Sequence, residues 1–381
     1  MQLHGSAVIT LLGKALPAQV TLDLGAGHLE FSFERRESPM PFEALAVLGG
    51  SEQAVKLSSM EISAPFGKLF RDRYEDFFVV EYFPEWHPNE SGSASVLSTG
   101  TAPISRLVIQ PRSSLISFET PASGTAYEMV LEASMSAQSD EFDADIAGNR
   151  VHAAFRGSKL VLSSDTSLQP YRDGLMCSFG MLFGGPASLR SSREANRFDI
   201  NIAPHSNGSI DRLWLSRDDI PEMFRAFSDY FCSTRLTDAK KWLRAATLHL
   251  HGLGDKVLLD QRILTLYTSL EMLDEASTLT KKSVAKLLDI AGQQAELVCK
   301  VRHALVHGGA SISEAVIGAR KELAKARASV PVELGFVIDE SMRSVTSKRY
   351  FFWLAAALNK YWLRRVGFLR AANDYSYLVQ V

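Results

Sequence analysis

Cysteine is scarce in this chain: 381 residues contain three, Cys177, Cys232 and Cys299. No two form a Cys-x-x-Cys pair, so neither a zinc knuckle nor a disulfide framework is expected. The scarcity fits a reducing compartment, and a cytoplasmic location is expected. Long apolar runs are missing too. The most apolar stretch, Tyr350 to Leu358, stops at Asn359 and Lys360. That is far short of the roughly 20 residues of a membrane span, so it reads as part of a buried helix, and no membrane partner is expected. Met1-Gln-Leu-His-Gly lacks a basic segment followed by an apolar core, so no secretory signal is expected. There is no low-complexity tract, internal repeat, Walker loop or Rossmann fingerprint, and no cofactor is expected.

What is present is an ordinary globular composition, 46% hydrophobic and 22% charged, in a chain long enough for two domains. The net charge of −2 is unevenly spread. Residues 1–210 hold 16 Lys+Arg against 24 Asp+Glu, a net −8, while residues 211–381 hold 25 against 19, a net +6. Either the second half meets a polyanion or two unrelated domains simply differ.

The first half alternates with period two. Val20, Leu22 and Leu24, then Leu29, Phe31 and Phe33, then Phe198, Ile200 and Ile202 are each separated by polar residues, as in strands with one wet face. Strands broken by Gly, Ser and Pro predict an antiparallel sandwich or barrel-like domain over 1–210, with a helical interruption near Leu168 to Phe183. Ala203-Pro-His-Ser-Asn-Gly-Ser209 is a loop by composition. Beyond it the period becomes helical. Leu259, Ile263, Leu266, Leu270 and Leu273 form one stripe, and further helices are expected at 220–232, 238–251, 284–307, 312–328 and 348–368. The whole is α+β in two domains, with an all-α bundle over 211–381.

The sharpest local signal is Val301-Arg-His-Ala-Leu-Val-His-Gly-Gly309. Leu297, Val301, Ala304 and Leu305 supply a core face, and Gly308 is expected to cap the helix. Arg302, His303 and His307 then project from its last turns. At about 100° per residue His303 and His307 share a face, while Arg302 lies about 140° from His307. One ideal helix does not converge all three, so either the last turn is distorted or two copies combine. Glu271, in Ser269-Leu-Glu-Met-Leu273, sits partly inward on the Leu-rich helix and could orient Arg302 or His307, unless it is an ordinary surface glutamate.

With its Gly-Gly stop, this phrase resembles the HEPN superfamily, whose ribonucleases share Arg, a polar residue, a short spacer and His; the Apea-like branch is the most similar. The resemblance covers roughly residues 215–370. It departs at His303, where members often carry Asn. What it implies is a helical bundle behind a β-rich domain, metal-independent endoribonuclease activity on RNA (tRNA among the candidates), and anti-phage defence by abortive infection. It also implies a homodimer through the helical domain with the site formed across it, and a phage-derived trigger met by the β domain. In such a site His307 serves as general base or acid and Arg302 as a bidentate phosphate clamp. His303 orients substrate or carries the second proton, and Glu271 orients its neighbours. The alternative is a HEPN-like module that binds RNA, nucleotide or protein without cutting.

Other patterns weigh less. His303 and His307 have metal-helix spacing without the Glu of His-Glu-x-x-His, and no metal is expected. His249-x-His251 reads as a helix-end or loop pair. Ser283-Val-Ala-Lys286 reads as a helix cap with a surface lysine, and Asp140, Glu141, Asp143 and Asp145 as a solvated loop. Arg320, Lys321, Lys325 and Arg327 form a basic helical run, either a solvated face or a track for an RNA backbone.

Overall fold

A computed structural model describes residues 2–11, 14–23, 28–33, 39–41, 55–64, 67–71, 77–84, 101–111, 115–119, 127–137, 141–201, 219–233, 239–254, 258–274, 279–326 and 336–368. The chain is α+β, with antiparallel strands in its first half and helices concentrated in its second. It forms two compact units, each discontinuous in sequence: Met1–Val130 with Ser163–Ser167 and Leu189–His205, and Leu131–Leu162 with Leu168–Ser188 and Ser206–Val381. The expected boundary loop at 203–211 lies outside the described residues.

The first unit is built on the hairpin β1 (Gln2–Leu11) and β2 (Lys14–Asp23), paired from Gln2↔Asp23 to Leu11↔Lys14. Strand β3 (His28–Ser32) adds to β2, and β5 (Val55–Ala64) adds to β1. Strand β6 (Gly67–Arg71) adds to β5, and β4 (Pro39–Pro41) and β7 (Phe77–Pro84) pair with β8 (Thr101–Pro111), with β9 (Leu115–Glu119) and β13 (Ser188–Glu194) the further strands before the last. The period-two pattern is the reason. Val20, Leu22, Leu29 and Phe31 are essentially inaccessible, while Thr21 and Glu30 between them are not. The expected strand around Phe198 is β14 (Arg197–Asn201), with Phe198 and Ile200 buried; Leu24 and Ile202 lie outside the described residues. Gly5 faces β5 so closely that a Cβ there would sit 1.9 Å from the Glu61 carbonyl oxygen. Only glycine admits that approach.

The second unit opens with three strands, β10 (Tyr127–Ala137, from Leu131 on), β11 (Glu141–Ile146) and β12 (Asn149–Ser164, up to Leu162), in the spatial order β11-β12-β10. Glu141, Asp143 and Asp145 therefore belong to a strand and not to the expected loop. Their side chains point to water while Phe142, Ala144 and Ile146 point inward. The β11–β12 turn places Ala147 at φ 53° and Gly148 at φ 86°, and Asp145 Oδ1 accepts from the Gly148 amide at 2.7 Å. Strand β11 ends the strand order, and Arg225 donates to the Asp143 carbonyl at 2.9 Å while lying over the Phe142 ring. The interruption expected near 168–183 is a short 3-10 turn followed by α1 (Arg172–Phe183), whose Phe179 and Phe183 pack on Phe155.

The helices that follow are α2 (Asp219–Cys232), α3 (Ala239–Leu253), α4 (Leu259–Leu273), α5 (Lys281–Leu288), α6 (Gly292–Gly308), α7 (Ile312–Ala326) and α8 (Arg343–Arg365). The single helix expected at 284–307 is two. A reciprocal Thr280–Ser283 cap starts α5 three residues earlier, and Asp289 turns left-handed at φ 53°. Gln294 then reaches back to the Ala291 amide to start α6. Gly308 remains helical, and the left-handed cap at φ 61° is Gly309. Of the expected helix-end pair, His251 does lie in the last turn of α3, but His249 sits further in, fully buried and bonded through Nε2 to Asn359 Oδ1 at 2.6 Å. Burial lowers its pKa to about 4.

Candidate functional site at the end of helix α6

Helix α4 carries the Leu-rich stripe, and Ile263, Leu266, Leu270 and Leu273 are buried. Between them lies Tyr267, also buried, whose hydroxyl donates to the Val298 carbonyl of α6 at 3.1 Å and shares a hydrogen bond with the Tyr350 hydroxyl of α8. Burial holds both phenols well above the usual tyrosine range. One turn further along each helix, Glu271 meets Arg302: Arg302 Nε donates to Glu271 Oε1 in a part-buried ion pair. The two contacts share one register, since Tyr267 and Glu271 are four residues apart and so are Val298 and Arg302. A deep hydroxyl pair thus fixes the helices, and the ion pair sits one turn outward from it.

The imidazoles of His303 and His307 occupy a different face of α6. They are exposed, one turn apart, with ring centroids separated by 5.0 Å at 48°. His303 also edges a groove of about 410 Å³ between α6 and α7, floored by Ala304, Ala315 and Gly318. The Lys300–Glu322 pair at 2.7 Å adjoins that groove, as does Cys299, whose half-buried thiol is pushed up by burial.

The four residues singled out from the sequence thus stand as two pairs, Glu271 with Arg302 and His303 with His307. Helix α6 stays regular to Gly308, where the Gly309 and Ala310 amides both close on the Ala304 carbonyl. A distorted last turn does not converge Arg302 on His307, and no hydrogen bond or ion pair joins them. Sequence reasoning missed Tyr267 and Tyr350. The signal was there in part: a tyrosine inside a leucine stripe, one turn before Glu271, must send its hydroxyl to a partner. Among the described residues no group of three or more His, Cys, Asp or Glu is gathered as a metal site would need. No described helix is long and apolar enough to cross a membrane.

Comparisons with family models, with curated proteins and with solved structures find nothing that matches the chain.

Proposed function

We propose that the helical part of this protein is a HEPN-type endoribonuclease that cleaves RNA without a metal ion. The observation that carries this reading is the end of α6, whose last turns present a carboxylate-tethered guanidinium on one face and a pair of exposed imidazoles on another. RNA cleavage by internal attack needs a base for the 2′-hydroxyl proton, a cation on the phosphorane and an acid for the leaving 5′-oxygen. Histidine titrates near neutrality and serves either proton role. Arginine grips two phosphate oxygens at once.

In the proposed reaction one imidazole takes the 2′-hydroxyl proton as that oxygen bonds to phosphorus. The bond from phosphorus to the 5′-oxygen breaks, and an imidazolium returns a proton to it. The products are a 2′,3′-cyclic phosphate and a 5′-hydroxyl. His307 is one proton carrier, and His303 the other or a substrate-orienting group. Arg302 clamps the phosphate, and Glu271 positions it. Since Arg302 and His307 diverge on one helix, a homodimer brings the Arg302 of one copy to the His307 of the other. The β-rich part, with its net −8 over 1–210, is proposed to recognise a trigger, and the setting is proposed to be anti-phage defence in the cytoplasm.

The test incubates purified wild type and His307→Ala with total RNA and with tRNA, EDTA present. Cleavage by wild type alone, leaving cyclic phosphate ends, supports the reading; equal cleavage by both places the activity elsewhere. The divergence of Arg302 from His307 also favours a second reading, a module that binds RNA without cutting it. Absence of cleavage by either protein on any RNA would favour that one.

A further inference from the structure

The proposed site occupies one end of the helical unit; the opposite end carries a different surface. Helix α8 runs antiparallel to α6. Its first residue, Arg343, meets Glu314 at the start of α7, just past the Gly309 cap. Near its last turn, Lys360 and Arg364 hold Asp289, just before α6 begins. The C-terminal end of α8 is therefore separated from His307 by the length of α6, 17 residues or about 25 Å.

At that far end Arg365 lies 4.7 Å over the Trp242 ring and 6.0 Å from that of Tyr230, and its Nε donates to the Tyr230 hydroxyl at 3.1 Å. Lys241 stands 5.9 Å from the same indole. Stacking on half-exposed aromatic rings holds the guanidinium at the surface in a fixed place. The first turns of α3 add Lys240 and Arg244, both exposed and four residues apart. Among the described residues, no carboxylate pairs with Lys240, Lys241 or Arg244. Among the described residues two carboxylates lie near, Asp289, engaged by Lys360 and Arg364, and exposed Asp229 beside Tyr230, so cations remain in excess among them.

We infer that this end of α3 and α8 is an exosite for the phosphate backbone of single-stranded RNA, an inference that rests on RNA being the ligand of the α6 site. Arginine and lysine arrayed beside aromatic rings suit a strand that is gripped through its phosphates without base readout. At about 3.4 Å per stacked nucleotide, a strand reaching both the exosite and His307 extends roughly seven steps between them. Short oligonucleotides then reach only one of the two sites.

The experiment follows anisotropy of a fluorescent 20-nucleotide RNA titrated with full-length protein across salt. All proteins carry His307→Ala, so that no strand is cut. Each phosphate contact on a single strand contributes about 0.7 to the slope of log affinity against log salt. Lys240→Gln with Arg244→Gln, both exposed, removes two contacts and lowers that slope by about 1.4. The deficit in affinity then grows about sevenfold from 200 to 50 mM salt. The control is Arg156→Gln with Lys159→Gln on β12, which holds the slope near its starting value; thermal melts check both folds. An unchanged slope for the α3 variant overturns the exosite, as does an equal fall in the control. Binding to phosphatidylserine vesicles in place of RNA overturns it too. A slope that falls as stated in a protein whose wild type cuts no RNA supports the exosite while refuting the ribonuclease reading.

Discussion

Acidification should destabilise this protein through His249 in particular. Its ring is fully buried, Nε2 is committed to Asn359 Oδ1 at 2.6 Å, and Nδ1 meets no partner among the described residues. The neutral tautomer with its proton on Nε2 fits that site; a second proton on Nδ1 would be a buried, unanswered charge. The folded pKa of about 4 lies below the unfolded value of 6.5. The unfolded chain therefore binds the proton first, and stability falls as pH drops from 6.5 toward 4. At pH 5 the loss relative to pH 7.5 is about 2 kcal/mol, a large share of a typical 5–15 kcal/mol. Carboxylates also titrate in this range, so the measurement is a difference. Urea unfolding of wild type and of His249→Gln, whose amide also donates to Asn359 but takes up no proton, is followed at pH 7.5 and 5. The gap between them should shift by about 2 kcal/mol in favour of the glutamine variant at the lower pH. Parallel pH dependence in the two proteins would refute the reasoning.

Tyr267→Phe strips the Val298 carbonyl and the Tyr350 hydroxyl of a buried partner, so it should cost about 1–3 kcal/mol in chemical denaturation. Gly5→Ala forces a Cβ into the Glu61 carbonyl, and faster hydrogen exchange along β1 and β5 should report their separation. His307→Ala should lower RNA cleavage by about 10²–10⁴-fold in EDTA with an unchanged melting profile. Arg302→Lys should be badly impaired because an ammonium lacks the bidentate fork.

Alternation at Val20 to Leu22 and Leu29 to Phe31 exposes the strands of the first unit directly, because a half-buried sheet sorts residues with a strict period of two. The stripe Ile263–Leu266–Leu270–Leu273 does the same for α4. What escaped was decided by single backbone positions and by distant partners. The break at Asp289 follows from a left-handed residue answered by Lys360 and Arg364, some 70 residues away, which no local pattern carries. The run Glu141 to Asp145 reads as a loop because of its acids, yet its alternation with Phe142 and Ala144 makes a strand once Phe224 and Phe155 cover the inner face. At the candidate site the angular separation of Arg302 from His307 was legible from helix geometry. Glu271 was legible as a partner for Arg302 or His307; that it meets Arg302 depended on Tyr267 setting the register of α4 against α6, a contact between residues 31 apart.

A two-residue turn makes Ile146↔Asn149 a bonded pair, so bonding along β11 alternates and the backbone of Asp143 points away from β12. A sheet ending in such a strand is an open template for aggregation, because a foreign chain can lay its amides on the unclaimed carbonyls. Arg225 occupies that carbonyl from α2 and braces itself on Phe142. Glu141, Asp143 and Asp145 line the same strand with negative charge. The guanidinium therefore acts as a stopper, and Arg225→Ala would turn a terminated sheet into one that can grow.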